Sequence, residues 1–98
     1  MRKEMIVELA EAPVFEIGDK VRSKKMIRND GTYPGIEIGK TLIEEGDIGY
    51  VQNVGEFLQQ FWIYSVDFVE KGQLVGMRAK ELELIKANKD YEAEDAER

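Results

Sequence analysis

The apolar residues of this chain alternate in short runs instead of recurring every three or four positions, and that alternation predicts strands. It is clearest from Phe61 to Val69, where Trp62, Tyr64, Val66 and Phe68 hold the even positions and Phe61, Ile63, Ser65, Asp67 and Val69 form a mixed odd face. The even face is expected to meet the core. Earlier, Gly18-Asp19 is a turn signal that opens a strand at Lys20-Val21-Arg22-Ser23, with Val21 on one face and Lys20, Arg22 and Lys24 on the other. The stretch from Ile48 to Val54 reads as a further strand, ended by Gly55, in which Gly49 permits a bulge or the close approach of another backbone. Lys71-Gly72 then turns the chain into Leu74–Arg78. Ala79–Glu81 has the length of one tight helical turn, and Leu82–Ile85 is the last strand. Between the first strand and Ile48 lies an extended connection whose apolar anchors, Ile36, Ile38, Leu42 and Ile43, are interrupted by Gly39 and followed by the polar turn Glu44-Glu45-Gly46-Asp47.

Short strands at this spacing, glycine turns and one long early loop predict a mostly β fold: a small antiparallel barrel of the SH3-like kind, with flexible or partly helical ends. Closing the barrel would hide its strand edges. The barrel domain is expected over residues 15–86. Residues 1–14 read as an N-terminal extension, in which Met5 and Leu9 fit a helix and Met5, Val7 and Leu9 fit a strand before Pro13 interrupts either. Residues 87–98 read as an acidic tail without an apolar stripe. There is no internal repeat.

Composition narrows the chemistry. A chain of 98 residues is one small domain that buries roughly 60% of its unfolded surface and cannot enclose a large active site. No run approaches the ~20 apolar residues of a membrane span, and the amino end lacks the long apolar stretch of a secretory signal, so a soluble cytoplasmic protein is expected. The chain has no cysteine and no histidine. That removes disulfides, thiolate and imidazole ligands, and the commonest general base. Ser23, Ser65, Thr32 and Thr41 therefore have no evident activating partner, and catalysis is not expected. Asn29-Asp30 and Glu44-Glu45-Asp47 miss the spacing of a calcium loop, so no metal and no cofactor of the chain's own is expected. The glycine pairs Gly31/Gly35 and Gly46/Gly49 lack the lysine-serine or lysine-threonine that completes a phosphate cradle.

Net charge is −6. Residues 1–17 carry two cations and four anions and residues 86–98 three and five, so the ends supply −4 and the body −2. Such acidity repels phosphate backbones, so a nucleic-acid partner is not expected on charge grounds. The stripe of Lys20, Arg22 and Lys24, with Lys25 and Arg28 nearby, is the one positive cluster and reads first as a solvated strand face.

What remains is surface recognition. Arg28-Asn29-Asp30-Gly31-Thr32-Tyr33-Pro34-Gly35 contains two turn signals, Asp30-Gly31 and Pro34-Gly35, and a rigid scaffold is expected to hold Arg28, Asn29 and Tyr33 outward between them. Phe57 and Leu58 are expected in a connection between strands, where they either plug one end of the barrel or stand out as anchors for another protein; plugging is the plainer expectation, since a small barrel needs caps.

Gly18–Arg22, Ile27–Gly35, Gly49-Tyr50-Val51 with Val54-Gly55, Phe57-Leu58-Gln59, Ile63–Val66 and Val75-Gly76 with Arg78 resemble, in order and spacing, the NifZ family of nitrogen-fixation accessory proteins. The likeness runs from about Gly18 to Leu82, and the Arg28–Gly35 octapeptide is its most specific part. It implies a role in nitrogenase maturation: binding the molybdenum-iron protein in a cluster-deficient state and assisting assembly of its P-cluster by contact, since iron–sulfur clusters are usually held by thiolates. On that view the partner-binding residues are Arg28, Asn29, Asp30, Tyr33 and Pro34, with Phe57, Leu58 and Arg78 second. A different reading is an SH3-like module for RNA or a ribosomal partner, because Gly46–Val51 also resembles a KOW motif. Another is a non-catalytic barrel subunit of an enzyme complex.

Overall fold

A computed structural model describes residues 9–89. The helix-or-strand alternatives at Met5–Leu9, most of the N-terminal extension and the acidic tail beyond Lys89 lie outside the described residues.

Seven strands follow in order: β1 Lys20–Ser23, β2 Ile27–Arg28, β3 Thr41–Ile43, β4 Ile48–Phe57, β5 Phe61–Phe68, β6 Gln73–Met77 and β7 Leu82–Lys86. A 3₁₀ turn at Val69–Lys71 precedes β6, and a second, Ala79–Glu81, fills the place where one tight helical turn was expected. The even face of β5 behaves as its alternation requires. Tyr64, Val66 and Phe68 are wholly buried, while Trp62 packs against the core from its margin. Val21, Val51, Val75, Met77 and Leu82 complete the sheet's contribution, and Leu42 and Ile43 of β3 close over it.

The mostly β class holds, but the barrel does not close. Five strands pair antiparallel in the order β6-β5-β4-β1-β7, while β2 and β3 form a separate two-stranded ribbon. Among the described residues no ladder joins the edge strands β6 and β7, so the sheet is open. The ribbon supplies apolar cover instead. The ribbon and its loop bring Ile27, Tyr33, Ile36, Leu42 and Ile43 onto the core.

A second correction concerns β4. It does not stop at Gly55 but pairs with β5 through Phe57, which stands opposite Phe61. A bulge between Val51 and Asn53 shifts the register by one residue, so Val51 and Val54, three apart in sequence, both face the core.

Two clamps hold the entry to the sheet. The buried Asp19 carboxylate accepts hydrogen bonds from Glu16 N (2.8 Å) and Asn88 N (2.8 Å), tying the first turn to the residue that follows β7 by two. Tyr64 accepts one from Val14 N through its hydroxyl (2.9 Å) and meets the edge of Phe15 at 5.3 Å between ring centroids. Trp62 donates its indole N–H to Glu11 O (3.1 Å), so the segment ahead of β1 lies along β5.

Gly49 is where close approach governs a residue choice. A Cβ there would sit 2.5 Å from Val66 Cγ1 and 3.0 Å from Asp67 O, and the second of these is backbone that cannot step aside. Gly49→Ala should therefore cost about 1–3 kcal/mol by overpacking, lowering the melting temperature by roughly 4–8 °C for each kcal/mol in a domain of this size. Thermal unfolding followed by circular dichroism measures it, and an unshifted transition would mean that β4 and β5 are not packed this closely.

Candidate functional site

Two surfaces contain the sequence-predicted contact residues. The first is the loop Arg28–Lys40, which leaves β2 and returns to β3. Gly31 and Gly35 adopt positive φ, +108° and +82°, as the two turn signals require. Arg28, Asp30 and Pro34 are exposed, whereas Tyr33 is half-buried.

Asn29 is not held outward. Its exposure is 2%, and its side chain organises the loop from inside. Nδ2 donates to Ile36 O (2.7 Å) and Tyr33 O (3.1 Å), and Oδ1 accepts from Gly31 N (2.9 Å) and Tyr33 N (3.2 Å). Its backbone is engaged as well, Asn29 N donating to Lys40 O (2.8 Å) and Gly39 N donating to Asn29 O (2.7 Å). A short polar side chain with both a donor and an acceptor end is what a loop of backbone amides needs when it has no ladder to satisfy it. Asn29 is thus a positioning residue, and the surface it presents belongs to its neighbours.

Those neighbours are electrically coupled. The Asp30 carboxylate accepts hydrogen bonds from the Thr32 hydroxyl and from Thr32 N, which holds its pKa below the ordinary 3.8. Burial pushes the Tyr33 phenol above its ordinary 10.0, the nearby Asp30 charge adds to the rise, and a hydrogen bond from the Gly76 backbone opposes it. With a raised folded-state pKa, the phenol's contribution to loop stability is fully present below pH 10 and is lost as pH climbs through the folded value. At neutral pH Tyr33 is therefore a protonated phenol, anchored to β6 two residues before Arg78.

The second surface is the far end of the β4–β5 hairpin. β1 reaches β4 only as far as Tyr50, and β6 pairs with β5 only from Tyr64 onward, so the last part of the hairpin is a two-stranded ribbon extending past its neighbours. Phe57 and Phe61 are cross-strand partners with ring centroids 5.4 Å apart, and the Arg78 guanidinium carbon lies 3.8 Å from the Phe61 centroid. Gln60 N donates to Phe57 O (2.9 Å) to close the turn, whose central residues Leu58 and Gln59 have φ of +53° and +56°. Leu58 is 68% exposed and Phe57 46% exposed. Neither plugs the core: the hairpin carries them away from it.

Phe61 was not singled out by the sequence pattern, which placed it on a mixed strand face. The signal was its spacing from Phe57, because two aromatics four apart across a tight turn become cross-strand partners. Two members of the basic cluster are paired. Arg22 bridges Glu83 at 2.9 Å and Lys25 bridges Glu81 at 3.2 Å. No group of three or more potential metal-ligating side chains occurs among the described residues, and no helix there is long and apolar enough to cross a membrane.

Replacing Asn29 by Ala removes the donor for three carbonyls, those of Tyr33, Ile36 and Glu37, and the acceptor for two amides at once. We expect a loss of roughly 2–4 kcal/mol, concentrated in the loop. Hydrogen exchange should accelerate at Gly31 and Tyr33 while the β5 amides stay protected; unchanged exchange at both loop amides would show that the turn residues alone hold this conformation.

Comparison with known proteins places these features in a family. A family model described as NifZ domain matches residues 12–84. A probable NifZ protein of Rhodobacter capsulatus is 51% identical over 71 residues, covering 72% of this chain and 91% of that protein. The NifZ protein of Azotobacter vinelandii is 47% identical over 75 residues, covering 76% of this chain and 47% of that protein. That of Klebsiella pneumoniae is 40% identical over 70 residues, 71% of this chain and 47% of the relative. The chain thus spans most of the Rhodobacter relative and about half the length of the other two. No solved structure matches it. The match takes in both surfaces and every strand of the sheet except the end of β7, and on that basis the chain belongs to the NifZ family of nitrogen-fixation accessory proteins.

Proposed function

We propose that this protein docks on the immature, cluster-deficient molybdenum-iron protein of nitrogenase and assists assembly of its P-cluster by contact, in the cytoplasm and without chemistry of its own. The cluster is the client's cargo. A chain without cysteine or histidine lacks the usual ligands for iron–sulfur centres, so an effect on such a centre has to pass through the polypeptide that owns it. Preferential binding to one client conformation is sufficient: a preference of about 1.4 kcal/mol shifts its population roughly tenfold.

The observation that carries this reading is the hairpin tip. A leucine and a glutamine in left-handed backbone cost roughly 1–2 kcal/mol each relative to residues that tolerate it, and Asn-Gly is the pair this kind of turn prefers. An exposed leucine at such a position does nothing for the fold's own stability. Together with Phe57, which is about half exposed, it forms an apolar anchor on a projecting ribbon, with Arg78 and Phe61 packed behind it. The Arg28–Gly35 loop contributes a second contact through Arg28, Asp30, Tyr33 and Pro34, and Tyr33 leans on the same edge strand that leads to Arg78.

The RNA-module reading has less support. Gly49 of the KOW-like stretch is required by strand packing, and Asp47 Oδ2 accepts from Glu44 N at 2.8 Å to hold the preceding turn, so both residues are accounted for by the fold.

Pairing stability with capture tests the proposal. Leu58→Asn combined with Gln59→Gly should raise stability by about 1 kcal/mol or more, because it relieves the turn. The same variant should lose capture of the cluster-deficient molybdenum-iron protein in a pull-down in which the wild-type protein prefers that form over the mature one. Equal recovery of both forms by the wild type, or undiminished capture by the relaxed turn, would refute the docking role of the tip.

A further inference from the structure

The hollow between the β1–β2 connection and the 3₁₀ turn Ala79–Glu81 is lined by Lys24, Lys25, Lys80 and Glu81. We propose that it receives an acidic segment of a protein partner. The inference rests on the docking role proposed above for the identity of that partner, but not for the chemistry of the hollow.

Charge is the first argument. Three ammonium groups face one carboxylate, and that carboxylate is already engaged on both oxygens: Oε1 accepts from Arg78 N at 3.0 Å and Oε2 from Lys25 Nζ at 3.2 Å. Among the described residues no carboxylate lies within 4.0 Å of Lys24 or Lys80. Lys24 also lines the neighbouring hollow, together with Arg22, Glu45 and Glu83, so over the two hollows four cations stand against three carboxylates. In a chain of net charge −6, a local excess of positive charge is the place where a carboxylate-rich segment can approach.

The second argument is preorganisation. Lys24 N donates to Glu81 O (2.9 Å), which bolts the two walls together through backbone. The buried Ser23 accepts from Lys25 N through its hydroxyl (3.3 Å) and donates to Lys25 O, fixing the turn that carries both lysines. Lysine stems line such a hollow with methylenes and place the charges at its rim, a setting for glutamate and aspartate side chains on an otherwise apolar segment. The third is continuity with the tip. Arg78 donates its backbone N–H into the hollow's carboxylate while its guanidinium covers Phe61, so the aromatic cluster and the lysines border one another. A partner segment carrying an apolar anchor followed by carboxylates would meet both.

Neither Lys24 nor Lys80 supports the fold through an ion pair among the described residues, so Lys24→Gln with Lys80→Gln should unfold at the wild-type temperature. The probe is a fluorescein-labelled peptide of alternating glutamate and leucine, followed by fluorescence anisotropy on the full chain, with an oligouridine of equal charge alongside. The wild type should bind the peptide at low ionic strength and release it as salt approaches about 0.15 M, where screening reaches ~8 Å. The double variant should bind about fivefold or more weakly, and the reversal to glutamate at both positions should abolish binding. Equal binding by wild type and double variant, or tighter binding of oligouridine than of peptide, overturns the proposal. Loss of peptide binding in a protein whose wild-type form captures no molybdenum-iron protein would leave the hollow standing and remove the client; capture that survives the double variant along with peptide binding would do the reverse.

Discussion

One antiparallel ladder, β4 with β5, organises both the core and the outer contact surface. Its near half lies between β1 and β6, and there the even residues of β5 supply the largest wholly buried side chains, Tyr64 and Phe68. Its far half outruns both neighbours and must stabilise itself. The bulge at Val51–Asn53 sits at the junction between these halves, turning Val54 back toward the core so that the ribbon is still anchored where it leaves the sheet. Extra twist at a bulge also separates the ribbon's path from that of β1. Core and tip are therefore parts of one continuous ladder.

The open side of the sheet is the second constraint. An unpaired strand edge invites association with another strand, and small proteins cover such edges or twist them away. Here Tyr33 reaches the Gly76 backbone on β6, and Tyr33, Ile36 and β3 pack over the core beside it. A loop can do this only if its own amides are satisfied, which is what Asn29 accomplishes. Asp19 plays the corresponding part at the other end, where one buried carboxylate takes amides from the first turn and from beyond β7. In both places a short polar side chain substitutes for a ladder.

How much of this could be read from residues alone depends on whether the signal is local. β1 and the final 3₁₀ turn fall where alternation and turn residues put them, and the core face of β5 follows from period two without any knowledge of its partners. The end of β4 was misplaced because Gly55 looks like a terminator; a Cβ there would meet nothing within 4 Å, so this glycine is neither a turn nor a close approach, and only pairing with Ile63 reveals it as strand. The ribbon of β2 and β3 escaped because two- and three-residue strands carry too little pattern. Closure of the barrel was inferred from the spacing of short strands and glycine turns, whereas it depends on whether β6 and β7 meet in space. Asn29 was expected to stand outward as a contact and is buried, because the same asparagine fits an exposed contact and a buried organiser equally well until the fold decides. Phe57 and Leu58 were legible as apolar residues in an odd place, and their direction was not, because it is set by the twist and length of the ribbon that carries them.

A domain of this size has little apolar surface to spare, so the location of the apolar residues it leaves outside carries information. Leu58 could have been asparagine and Gln59 glycine with a gain in turn stability, and Phe57 could have been any strand former. Local preference and global fold disagree at this tip, and disagreements of that kind concentrate at functional positions. The disagreement is affordable because the ladder behind the turn is long: the pairs from Glu56–Trp62 back to Val51–Val66 hold the ribbon whether or not its two central residues are comfortable. Stability is thus supplied by the part of the hairpin that faces the core, leaving the part that faces outward to be shaped by what it touches.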